Sequence, residues 1–161
     1  MKMKRLDLAT LSERTNIECA YLQRLLDDGL EPERTWLLQA DDETQLTGID
    51  ELTSTFLVCA SLLLEAGFNK LKIPELLNTI CLVMKPGRNP LHLTVASDIV
   101  AGASRVVVQI ADGDHVRWKV DDRDTGWICP RADRRQPVAD FAPRVVTAID
   151  MTAIHEQVLG R

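Results

Sequence analysis

A chain of 161 residues, 45% of them apolar, is long enough to bury a real core, as one compact unit or two small ones. Its longest apolar run, Phe56 to Leu64, is interrupted by Ser61 and falls far short of the roughly 18 residues a membrane span needs, so no membrane partner is expected. The formal charge of −5 is uneven: residues 1 to 81 hold eight Lys and Arg against 14 Asp and Glu, and the remainder 11 against ten. An acidic surface repels phosphate and forgoes counterion release, which argues against simple duplex binding by the first half.

In chain order, Met1 to Arg5 is basic but lacks the apolar centre of a secretory leader, and a cytoplasmic location is expected. A first helix is predicted over Leu8 to Arg14, with Leu8 and Leu11 inward. Thr15-Asn16-Ile17 makes a turn, where asparagine is the next best residue after glycine for left-handed backbone. The second helix, Glu18 to Asp28, places Cys19, Leu22, Leu25 and Leu26 on one face, and Gly29 closes it.

At these residues the chain resembles the MerR-type winged helix-turn-helix family. Leu11-Ser12-Glu13-Arg14-Thr15-Asn16-Ile17, Tyr21-Leu22-Gln23-Arg24 and Gly29-Leu30 match its pattern of a Leu-Ala-x-x-Thr-Gly-Val turn, an aromatic or Thr-Leu-Arg element and a closing Gly-Leu. The similarity extends over about half of the chain. Residues 31 to 47 correspond to the wing, Thr47-Gly48-Ile49-Asp50 to a capped helix start, Leu62 to Phe68 to a later helix with its Gly-Phe turn, and Lys72 to Leu77 to a final short helix. The resemblance implies a transcription regulator on double-stranded DNA, acting as a homodimer. Tyr21, Gln23 and Arg24 would face the groove, with Arg14 and Arg34 on phosphate. Against that role, the second helix has one basic residue beside Glu18, Asp27 and Asp28, and the wing holds Asp41, Asp42 and Glu43. The third helix is apolar nearly all round, which predicts burial against the second half of the chain or a second subunit, as well as its own domain.

Lys85-Pro86-Gly87-Arg88-Asn89-Pro90 interrupts any helix and divides the chain into a module over 1–85 and an α+β module over 86–161. Asn89 and Pro90 can start a helix to about Ala101, with a strand at His92 to Val95 as the competitor. Arg105 to Ile110 and His115 to Val120 predict a hairpin across Asp112-Gly113. Arg144 to Ile149 repeats the form Arg-Val-Val-x-x-Ile, and Met151 to Leu159 predicts a closing helix with Ile154, Val158 and Leu159 inward. Between these, residues 121 to 143 read either as an exposed connector pinned by Trp127 or as a binding loop. In the second case Arg131, Arg134 and Arg135, with Arg117 and Lys119, would meet an anionic partner.

Cys19, Cys59, Cys81 and Cys129 lie far apart with no CxxC pair, and His92, His115 and His155 are equally dispersed, so no metal site and no cofactor are expected. Asp112, Asp114, Asp121, Asp122 and Asp124 lack the glutamate of a calcium loop. No phosphate-binding glycine loop, nucleophile elbow or triad spacing is present, and a non-enzymatic protein is expected. The fold class is α+β. Two functions stay open: a divergent MerR-like regulator, or a protein-protein adaptor with an acidic helix-turn-helix and no DNA binding.

Overall fold

The computed structural model describes residues 5–30, 49–81, 99, 102, 105–120, 123–124, 126–129, 138 and 140–161. The expected wing, the expected helix or strand after Asn89, and Arg34, Arg131, Arg134 and Arg135 lie outside the described residues.

Helix α1, Leu8–Thr15, starts where the Asp7 carboxylate accepts the Thr10 N–H at 2.7 Å. It stops at Asn16, whose φ of 56° is the left-handed conformation expected there. Helix α2, Cys19–Asp27, ends in a Schellman turn: Gly29 at φ 70° donates to the Leu26 carbonyl and Leu30 to the Leu25 carbonyl. Leu30 is thereby drawn into the core beside Leu22 and Leu25, all buried. Cys19, expected on the inner face, is exposed instead. It is the first residue of α2, a full turn before Leu22, and lies beyond the packed stretch of the helix.

Strand β1, Arg5–Leu6, pairs antiparallel with β2, Ile49–Asp50, so the entries to α1 and to the next helix are held together. Asp50 then caps α3, Glu51–Glu65, accepting both the N–H and the hydroxyl of Thr53. Ten consecutive positions of α3, Leu52 to Ser61, are buried, and so is Leu63 beyond the exposed Leu62. Such a helix needs partners on every side. It finds them in α2, in α4 (Ile73–Cys81), in the two short strands and in the C-terminal helix. Two more of its polar members, Ser54 and Thr55, bond back to the Asp50 and Glu51 carbonyls.

The second sheet has the order β5-β4-β3-β6 and is antiparallel throughout. Strand β3, Val106–Ala111, turns into β4, His115–Val120, through Asp112 and Gly113, both at positive φ as a type I′ turn requires. On β4, Val116, Trp118 and Val120 are buried while His115, Arg117 and Lys119 face outward. Strand β5 is Arg123–Asp124, and β6, Val146–Asp150, lies on the other side of β3. The two Val-rich segments therefore pair with each other, Val108 opposite Ile149 and Ala111 opposite Val146.

The final helix, α5 (Met151–Leu159), follows β6 through the Asp150 cap. Met151, Ile154 and Val158 are buried, and Leu159 is half-buried rather than inward. This helix packs on α1, α3 and β3, and α4 packs on β4. Buried residues from both halves of the chain consequently form one hydrophobic cluster, running from Leu11 and Phe56 through Val108 to Val158.

Candidate functional site

Three surfaces merit comparison. The first is the outward side of α2. Glu18, Cys19, Ala20, Gln23, Arg24, Asp27 and Asp28 are exposed there, because Leu22 and Leu25 take the opposite side into the core. Gln23 and Arg24 come together on this face, but the Gln23 side-chain amide donates to Asp27 at 2.9 Å. Tyr21 is half-buried and packed against the core. Arg14 points elsewhere: its Nη1 donates to the Val158 carbonyl at 2.8 Å, satisfying an end group of α5. Arg24 is thus the one cation on the exposed side of α2, against Glu18, Asp27 and Asp28, and of these Asp28 is paired with Lys70 at 2.6 Å.

The second surface is the outer side of the hairpin. Arg117 lies 4.3 Å over the Trp127 ring, donates to Gln109 at 2.6 Å and stands 3.4 Å from Asp124. Lys119 is 4.0 Å from the same carboxylate. Asp124 and the ring already engage the charge of Arg117, so among the described residues this side offers no free cationic cluster. His115 stacks on Phe141 at 4.0 Å and bonds Asp114 at 2.7 Å, and Trp127 meets Phe141 edge-on. Trp127 is buried, and Ile128 forms a bridge with Val116. These contacts hold Trp127, Ile128 and Phe141 against β4.

The third surface is a cleft of about 570 Å³ between the turn after α3 and the sheet. Ala66, Gly67, Phe68, Asn69 and Lys72 form one wall; Ile110, Asp112, Gly113, Arg144, Val145 and Thr147 form the other. The α3 wall exists because a second Schellman turn, with Gly67 at φ 88° and Phe68 donating to the Leu63 carbonyl, swings the chain sharply off the helix end. The opposite wall is fixed by Asp112, whose carboxylate accepts the N–H groups of Arg144 and Val145 while its own N–H donates to the Val145 carbonyl. Nothing in the local sequence announces this cleft, since its walls are contributed by residues 66–72 on one side and 110–113 and 144–147 on the other.

Of the described thiols, Cys59 is sealed inside α3, and burial pushes its pKa up to about 12, so it is no nucleophile. Among the described residues no group of three His, Cys, Asp or Glu side chains could hold a metal ion. No described helix is long and apolar enough to cross a membrane. Comparison with known protein families, with curated proteins and with solved structures finds no match to this chain.

Proposed function

We propose that this chain is a non-enzymatic regulatory protein of helix-turn-helix type that works through protein contact, docking the acidic side of α2 on a basic partner surface. The observation that carries this is the charge of that side: Glu18 and Asp27 share it with Arg24, next to an Asp28 already paired with Lys70, and Arg14 is engaged at the end of α5. A major-groove helix gains most of its affinity by placing cations near phosphates, and this one places carboxylates there. Electrostatic complementarity with a basic partner supplies the opposite sign at no cost in fold.

The rival, a divergent MerR-like reader of double-stranded DNA, has its own support. Asn16 takes the left-handed conformation that the turn of a helix-turn-helix commonly needs, and Gln23 and Arg24 lie side by side on the exposed face. A mobility shift on genomic fragments at low salt separates the two, alongside capture of the partner from native lysate. Docking predicts no shift, and capture that is lost in Glu18→Lys/Asp27→Lys but kept in Arg24→Ala. A salt-dependent shift that Arg24→Ala weakens would establish the DNA reader instead.

A further inference from the structure

We infer that the cleft between the α3–α4 turn and the β3–β6 wall is a binding site for a small amphipathic carboxylate, an apolar tail of fatty-acid or aryl type carrying one anionic head. The tail has a floor. Ile110 is buried at the base, Phe68 is half-buried in one wall, and Val145 presents an apolar side chain, 67% exposed, at the other. A volume of about 570 Å³ lies within the usual range for small-molecule sites, roughly 300–1,000 Å³.

The head group follows from which polar atoms the walls leave over. Among the described residues Asp112 is the only carboxylate in the lining, and it already accepts the backbone N–H groups of Arg144 and Val145. The Asn69 side-chain oxygen, Oδ1, accepts the Leu71 N–H, which leaves the side-chain NH₂ as a donor. Among the described residues neither Lys72 nor Arg144 forms an ion pair, whereas the neighbouring Lys70 is held by Asp28. The rim therefore presents two cations, an amide donor and the Thr147 hydroxyl, in a chain of net negative charge. Donors over an apolar floor match a carboxylate with a hydrophobic body, and a planar guanidinium is well shaped to receive one. A neutral alcohol would gain only the floor. A cationic amphiphile would be repelled by Lys72 and Arg144.

The test is independent of what α2 docks on. Amide chemical shifts of the full chain are followed during titration with octanoate, octanol and octylammonium, three head groups on one tail. Saturable octanoate shifts confined to residues 66–72, 110–113 and 144–147, with binding at least tenfold weaker for octanol and for Lys72→Gln/Arg144→Gln, are expected. Octylammonium should leave those amides unmoved. Both substituted side chains lie on the rim, so the variant should keep the wild-type spectrum elsewhere. If one of the exchanges perturbs folding, Val145→Glu, which sets a like charge at the mouth, must abolish octanoate binding by itself. No saturable shift, equal affinity for octanoate and octylammonium, or shifts mapping to another face would each overturn the inference.

Discussion

At the scale of single residues, His155 shows how burial outweighs an attractive neighbour. Its Nε2 lies 3.6 Å from the Glu51 carboxylate across the α3–α5 contact, and that charge favours the imidazolium. Burial in the helix packing works the other way and dominates, aided by Arg161, so the pKa is held below the ordinary 6.5. The unfolded chain then takes up a proton that the folded chain resists. Stability from this residue is intact above about pH 6.5, declines as pH falls below it, and levels off under the lowered folded value. Urea midpoints measured from about pH 8 to about pH 5 should show this decline, and His155→Gln should reduce it. Equal pH profiles for the two proteins would mean that Glu51 offsets the burial. Arg14 makes a related point about reading side chains from a linear pattern. Read as part of a helix-turn-helix, its position suggests phosphate, but a guanidinium at the end of one helix is equally able to satisfy the last carbonyls of another, and α5 lies within reach. Nothing in the neighbouring sequence announces that partner, because it lies 144 residues away.

At the scale of elements, the local signals were legible where backbone conformation is fixed by a few adjacent residues. Asn16, Gly29, Asp50 and Asp112-Gly113 each mark a helix end, a cap or a turn within a residue of its place, since capping and positive φ depend on side chains near at hand. The all-round apolar α3 also revealed its burial. Of the two outside covers expected for it, the second half of the chain supplies one through α5; the choice between that half and a second subunit did not follow, because apolar periodicity specifies that a face is buried and not against what. The β1–β2 pairing escaped notice for the opposite reason: two residues on each side carry no periodicity at all. The cleft was illegible too, being formed by turns of separate halves. The α1–α2 turn offers a direct check on the backbone argument. At φ 56°, a β-branched side chain crowds the following carbonyl, and Asn16→Val should lower stability by about 1–2 kcal/mol, whereas Asn16→Gly should be near neutral. Urea midpoints of the three proteins measure the difference; equal loss in both variants would show that the Asn16 side chain, not its backbone, is what matters.

At the scale of the whole molecule, α5 decides whether the two halves stand or fall together. It begins where β6 ends, so it belongs covalently to the C-terminal sheet, yet Met151, Ile154 and Val158 are buried in the cluster that holds Phe56 and Leu11. Val158 is the focal position: its side chain is fully buried and its carbonyl receives Arg14. Val158→Asp would place a carboxylate in that cluster with no designed partner, and a buried unpaired charge or polar group costs several kcal/mol, a large share of the roughly 5–15 kcal/mol that holds a domain. The expected result is loss of the whole fold. In the native chain, helical circular dichroism, which reports largely on α1 to α5, and the fluorescence of Trp118 and Trp127, both buried on the sheet, should unfold at one urea midpoint. In Val158→Asp both signals should be lost together. Separate midpoints, or a variant that keeps the tryptophan signal while its helices melt, would show instead that the sheet holds its structure without the N-terminal helices. Arg14→Ala grades the same coupling: it leaves the apolar contacts in place and removes one charged hydrogen bond at a half-buried position, so it should cost about 1 kcal/mol and move both signals by the same amount.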